Sequence, residues 1–434
     1  MDRKKLTLGY DDFKEVRIKN LYYVDKTDMI REFLDSSGKV VQITRPRRFG
    51  KTLNLSMIRR FFEDERTSDG GKIDNADLFD DLAISKSGES YLQHRQKYPV
   101  ISLSLKEAKQ ENFDDAYLMI RKQISAEFRR HGYVLQGNAL MDKEKEVYRR
   151  VMDLEDDDGL YLDALQFLSK CLYRYHGQNA YILIDEYDVP LETAYVKGFY
   201  DRMIGFIRSL FGSALKGNPY LEKGIITGCL RISRESIFTG LNNLEVHSIL
   251  SNYYSSSFGF TEGEVREMLA YYGLADRFPE VREWYDGYRF GTWEIYNPWS
   301  IISYVKNALA ADFLPRPYWS NTSSNSIVRE LVEEADGETR KELEMLMEGG
   351  TIEKPVHEEI TYGDVHTSKD NLWNFLFFTG YLKAEEKRME GLAQIEAKRY
   401  GENFHKEGYP IVRKYAVCFY RKDCMVMEGE HIGV

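Results

Sequence analysis

The stretch ITRPRRFGKTL, Ile43 to Leu53, ends in Gly50-Lys51-Thr52, the tail of the G-x-x-x-x-G-K-[ST] phosphate-loop pattern. A nucleoside triphosphate needs backbone N–H groups around its oxygens, a lysine for the β and γ oxygens, and a hydroxyl on magnesium. Gly50, Lys51 and Thr52 supply the last glycine, the lysine and the hydroxyl, and a helix opens near Leu53. Arg45 stands where the pattern has its first glycine, which serves the entry turn. Arg45, Arg47 and Arg48, with Phe49 beside them, either help the phosphates or face an acidic partner. Taken alone, the stretch reads equally as a strand-to-helix turn with an exposed basic cluster.

A second constellation is YILIDEYD, an apolar run that ends in Asp185-Glu186. In a Walker B element the aspartate supports a magnesium shell and the next glutamate polarises an attacking water. The two constellations follow in the order that a P-loop fold requires, and consistency across them strengthens each. A third, ITGCLRIS, places Thr227 at a strand end with Arg231 and Arg234 just after it. There the threonine could hold the water and an arginine could sense the γ-phosphate. The bland reading is a strand end followed by solvated arginines.

Four apolar runs must position these groups: Val40 to Thr44, Pro99 to Leu105, Tyr181 to Asp185 and Gly224 to Gly228. Helical spacing separates them at Leu53 to Phe62, Phe113 to Arg130, Leu160 to Tyr175 and Phe199 to Leu215. Such alternation predicts an α/β fold, a mostly parallel sheet with helices on both faces. The distance between the motif strands leaves room for an extra strand, as in the additional-strand P-loop class. A fifth strand is expected at Glu245 to Leu250, and Thr261 with Glu264 has capping-box spacing, so a helix starts near residue 262. Beyond about residue 258 the pattern becomes helical with aromatic turns: a short hairpin, a helix from Pro298, and an apolar helix stopping near Gly380.

Composition agrees with a folded chain of two to three domains: 434 residues, 43% hydrophobic and 14% aromatic. A net charge of -10 argues against a surface that coats nucleic acid, although a local basic channel stays open. Cys171, Cys229, Cys418 and Cys424 have no zinc or disulfide spacing and read as reduced structural thiols. No run reaches membrane-span length, and the N-terminus has no apolar leader core, so a cytoplasmic location without membrane partners is expected.

The ordered motifs YYVDKTDMIREFL, ITRPRRFGKTLNLSMIRRFF, YILIDEYDVPL, ITGCLRISRESIFTGLNNL, FGFTEGEV, WYDGY and YNPWSI resemble a bacterial AAA-ATPase-like family. Its members usually add a C-terminal PD-(D/E)XK nuclease-like domain. The resemblance covers nearly all of residues 6 to 382, and within it R-P-R-R-F-G-K-T is the usual phosphate loop. It implies a fold related to AAA and STAND ATPases, with ATP and Mg2+ as cofactors. Lys51 and Thr52 would bind phosphate and metal, Asp185 and Glu186 would form Walker B, and Thr227 with Arg231 would take the sensor position. Tyr22 to Thr27 either lines the base or is a helix N-terminus capped near Asp25 or Thr27.

On this reading residues 1–258 form the P-loop domain, 259–385 a mainly helical lid or winged-helix-like region, and 386–434 a truncated nuclease-like remnant. After Leu382 the sequence passes almost at once to what resembles that domain's late helix and its late strand KYAVCFYRKDCMV. Glu396-Ala397-Lys398 spells E-x-K, yet its neighbours suit a solvated helix face and not a metal site. The remnant should pack on the helical region or on another chain, or be poorly ordered. An ATPase is therefore expected. The rival is a slow nucleotide-gated switch that holds ATP or ADP and presents its C-terminal region to a protein partner or second copy; a nuclease is not expected from this chain.

Overall fold

The computed structural model describes residues 3–231, 237–238, 244–319, 335–358 and 369–383, and the backbone of strands at 411–412, 415–420, 423–428 and 432–433. Two compact units make up the chain: Met1–Thr44 with Gly50–His247, and Arg45–Phe49 with Ser248–Val434.

The first unit is built on five parallel strands, β1 (Val40–Thr44), β2 (Val100–Ser104), β3 (Ala180–Asp185), β4 (Leu221–Gly228) and β5 (Leu244–His247). Their spatial order is β2-β3-β4-β1-β5. Every residue of β1 and of β3 is buried, which explains why both read as continuous apolar runs without alternation. β4 lies between them, pairing Gly224–Gly228 with β1 and Gly224–Ile226 with Ile182–Ile184 of β3. The strand leading into the G-K-T loop and the strand ending in Asp185 are thus separated by one strand, the additional-strand arrangement of P-loop α/β folds.

Parallel neighbours need long crossovers, and helices Lys51–Phe62, Phe113–Arg130, Ala164–His176 and Tyr200–Leu215 stand between the strands. One expected helix differs. Leu160 to Tyr175 is divided into Gly159–Leu162 and Ala164–His176, because Asp163 at φ -125° leaves the helical region while the apolar spacing continues through it. The fifth strand also stops sooner than expected, at His247. Ser248 Oγ accepts from Leu250 N at 3.1 Å and turns the chain out of the sheet direction. In the Tyr22–Thr27 element, Asp25 accepts from Thr27 N (2.9 Å), Thr27 Oγ1 (2.6 Å) and Ala83 N (2.6 Å), and helix Asp28–Asp35 follows. Asp25 and Thr27 therefore tie two backbone segments together.

The second unit contains an antiparallel sheet of β6 (Phe260–Thr261), β7 (Tyr288–Phe290) and β8 (Trp293–Tyr296), in order β6-β8-β7. The capping box forms as read: Thr261 Oγ1 accepts from Glu264 N, Glu264 Oε2 accepts from Thr261 N, and the helix runs Glu262–Tyr272. Pro298 opens a helix to Leu309 behind Asn297, whose side chain accepts from Ser300 N. Helix Lys369–Phe378 ends before Gly380, whose φ of +88° suits glycine. Strand β9 (Glu353–Pro355) precedes that helix, and β10 (Ile411–Val412), β11 (Tyr415–Tyr420), β12 (Asp423–Glu428) and β13 (Ile432–Gly433) follow it. KYAVCFYRKDCMV, read as one late strand, is instead an antiparallel pair in which Tyr420 faces Asp423. β11 also pairs with β9. Arg234 and the E-x-K at 396–398 lie outside the described residues.

Charged groups inside the first unit are held in pairs. Glu127 accepts from Ser102 N at 2.7 Å and from Arg130, which also bonds Glu63. Burial alone would raise the Asp64 carboxyl, but hydrogen bonds and charge from His176 and Arg66 hold it at about 2. Burial likewise opposes Glu65, which Asn75, Arg60 and Lys14 lower to about 2. Depressed acids add stability above their unfolded values, and that stability is lost as pH falls through the folded ones. Urea unfolding should therefore give a free energy that declines between about pH 4.5 and pH 2, by on the order of 2 kcal/mol for each of these two groups. The Asp64→Asn/Glu65→Gln variant should show a shallower decline; an unchanged slope would contradict the assignment.

Candidate functional site

In the first unit, β1 delivers the chain to a loop that closes at Gly50, whose φ is +85°. A Cβ there would touch nothing within 4 Å, so glycine answers to the left-handed backbone and not to crowding. Gly50 precedes helix Lys51–Phe62 without a side-chain cap, the arrangement in which helix N–H groups receive phosphate oxygens. Lys51 is buried, Thr52 and Leu53 half-buried.

Asp185, the last residue of β3 and 5% exposed, stands at the centre. Its Oδ2 accepts from Thr52 Oγ1 at 2.6 Å, and its Oδ1 from the hydroxyl of Thr227, which is fully buried near the end of β4. Residues taken from three separate stretches of sequence thus meet on one carboxylate. Glu186 follows at φ +51°, an uncommon conformation for a residue with a side chain, and its N–H donates to Asp185 Oδ1 at 3.0 Å. Burial raises the Glu186 carboxyl above its ordinary value, the negative charges of Asp185 and Asp188 add to this, and Lys51 and Lys106 oppose it.

A family model described as "Predicted AAA-ATPase" matches residues 7–238, more than half of the chain. The chain belongs to this AAA-ATPase-like family. It is also similar to a protein from Azotobacter chroococcum mcd 1 described as "Uncharacterized protein in vnfD 5'region", 26% identical over 338 residues. That alignment covers 77% of this chain but 57% of the relative, so the chain matches little more than half of the relative's length.

The loop of this AAA-ATPase-like chain is divided: Arg45–Phe49 groups with the second unit, and Gly50 onward with the first. Arg45 is fully buried, its guanidinium 5.1 Å from the Phe290 ring and 5.4 Å from that of Phe258, with Nη2 donating to Tyr254 O at 3.1 Å. Phe49 is buried against Tyr288 and Phe290. Arg47 is half-buried and its carbonyl accepts from Trp319. Arg48, exposed at φ +69°, lies over Trp299 at 4.4 Å. Arg231 follows β4 and is half-buried.

Three residues of the site were not singled out for it from sequence. Lys51 Nζ is 3.6 Å from Cys229 Sγ, so this thiol sits beside the loop lysine. Asp188 Oδ2 accepts from the backbone N–H groups of Cys229 (2.7 Å) and Leu230 (3.0 Å). Tyr187 donates its hydroxyl to Leu230 O and accepts from Gln42. The second aspartate of the D-E-Y-D run was the available signal for Asp188. Among the described residues no cluster of three or more His, Cys, Asp or Glu has metal-holding geometry, and no helix is long and apolar enough to cross a membrane.

Close packing at this corner excludes side chains. A Cβ on Gly228 would lie 2.6 Å from the Tyr187 ring and 2.8 Å from Asp188 Oδ1. Gly228→Ala should lower stability by about 1–3 kcal/mol through overpacking. Gly205→Ala, in helix Tyr200–Leu215 with open space around it, should raise stability by about 0.5–1 kcal/mol. Thermal unfolding of both variants checks the pair, and equal shifts would contradict the crowding.

Proposed function

We propose that this chain binds ATP with magnesium in its first unit and hydrolyses the γ-phosphate. The observation that carries the reading is the Asp185 carboxylate joined to the hydroxyls of both Thr52 and Thr227, with a raised Glu186 carboxyl next to it. On this proposal the N–H groups at Gly50 to Thr52 and the Lys51 ammonium cradle the β and γ phosphates, with Arg47, Arg48 and Leu53 at the loop's margins. Thr52 Oγ1 and Asp185 are hard oxygen donors 2.6 Å apart, few in number, which suits a cation that keeps water and phosphate oxygens as its remaining ligands. Magnesium held there would neutralise charge on the β and γ oxygens.

Glu186 polarises the attacking water and accepts its proton, Thr227 holds that water, and Arg231 senses the γ-phosphate. The water oxygen bonds to the γ-phosphorus as the bond to the bridging oxygen breaks, giving ADP and inorganic phosphate. The division of the loop between two units supports a second reading, a nucleotide-gated switch with negligible turnover that signals through the second unit to a partner. Nucleotide that co-purifies tightly without turnover would favour the switch.

Phosphate release decides the matter. Lys51→Ala should weaken nucleotide binding and lower kcat/KM at least tenfold, whereas Glu186→Gln should keep nucleotide binding and lower kcat by about 10²–10⁴-fold. Equal rates in wild type and both variants would exclude the hydrolytic reading. The raised Glu186 carboxyl must be ionised to act as base, so kcat should fall as pH drops through a value above 4.5. A limb at or below 4.5 would count against Glu186 as the base.

A further inference from the structure

Asp188 is 2% exposed and part of neither the Thr52 nor the Thr227 contact. One of its oxygens receives two backbone N–H groups, from Cys229 and Leu230; the other, Oδ1, has no hydrogen-bond partner among the described residues. A carboxylate this buried carries a desolvation penalty, and burial raises its proton affinity despite the two amides and the nearby Lys51. A serine or asparagine could cap helix Val189–Val196 at this position, yet Asp188 makes no side-chain cap there and reaches across to the segment after β4.

That segment is fastened to the D-E-Y-D turn at several points. Tyr187 N donates to Thr227 O at 3.1 Å, Tyr187 Oη donates to Leu230 O at 2.6 Å, and Gly228 packs so closely that no Cβ fits. The Asp188 contacts fix the two residues that lie between Gly228 and Arg231. They also set the position of Cys229, whose Sγ is 3.6 Å from Lys51 Nζ. The turn that carries Asp185 and Glu186 and the strand end that carries Thr227 are therefore fastened together, with Asp188 the ionisable link between them.

We propose that Asp188 is a positioning residue that locks the 228–231 segment to the acidic turn, holding Cys229 against Lys51 and setting Arg231 for the γ-phosphate. The inference rests on the ATP-hydrolysis reading for its catalytic consequence, but its geometric part does not need nucleotide. Asp188→Ala removes the acceptor of both amides; Asp188→Asn keeps one oxygen able to accept from both.

The test uses the full chain in three forms, wild type, Asp188→Ala and Asp188→Asn. Alkylation of Cys229 by N-ethylmaleimide without nucleotide is followed by peptide mass spectrometry, and ATP affinity and phosphate release are measured alongside. In Asp188→Ala we expect Cys229 to react at least fivefold faster, kcat to drop at least tenfold, and the Kd for ATP to stay within threefold of wild type. Asp188→Asn should return both the alkylation rate and kcat towards wild type. General loss of structure would instead weaken ATP binding together with kcat and would not be rescued by asparagine, and that result overturns the proposal. An unchanged Cys229 rate in Asp188→Ala overturns it whatever the ATP data. Faster alkylation with unchanged kcat overturns it while leaving the hydrolytic function intact. Wild-type protein without phosphate release overturns the hydrolytic reading, and with it the catalytic part of this proposal, and is recognised from the wild-type arm alone.

Discussion

Asp185 is a carboxylate taken almost wholly out of water, and two hydroxyls and a backbone amide satisfy it. An unpaired charge at that depth would be costly, so its partners are a condition of folding as well as of chemistry. Thr52 can reach it from the helix after β1, and Thr227 from β4, because β4 lies next to β3 and not at the sheet edge. The place of β4 beside β3 and the burial of the site are in this sense tied to one constraint. All five strands are parallel, so their C-terminal ends, and the polar residues at those ends, gather on the same edge.

The same logic explains where backbone strain is accepted. Gly50 and Glu186 both take left-handed conformations, one just before the loop helix and one just after the acidic strand. At Gly50 the residue type removes the penalty; at Glu186 it does not, and the surrounding hydrogen bonds hold the turn in place. The crowding of Gly228 against Tyr187 and Asp188 shows the third corner of the site under equal constraint.

Much of this was legible in the sequence because it depends on local rules. Val40–Thr44 and Phe113–Arg130 appear with their expected boundaries, since a buried apolar run and a 3.6-residue stripe each identify an element without knowledge of its neighbours. The Thr261 and Glu264 cap is likewise a matter of four consecutive residues. Readings that depended on one residue's backbone were less secure: Asp163 interrupts a helix whose apolar spacing does not change, and Ser248 ends a strand whose apolar character continues to Leu250. The pairing of β11 with β9 joins residues about sixty apart, beyond the range of any periodicity.

By itself the sequence determined that strands and helices alternate, and that a lysine and a hydroxyl at a helix start and two acids at a strand end stand in the order a nucleotide fold uses. Those facts follow from residue type and spacing alone. Tertiary structure alone decided what each charged side chain meets. Arg45, which the loop pattern would place near phosphate, is surrounded by Phe258, Phe290 and the Tyr254 carbonyl from more than 200 residues later. Cys229, read as an ordinary thiol, comes to Lys51, 178 positions away. Asp188 turns from its own helix to the amides after β4. The physical reason is common to all three: spacing reports which face of an element is buried, whereas the partner of a buried charge is chosen by packing between elements that the local sequence does not encode.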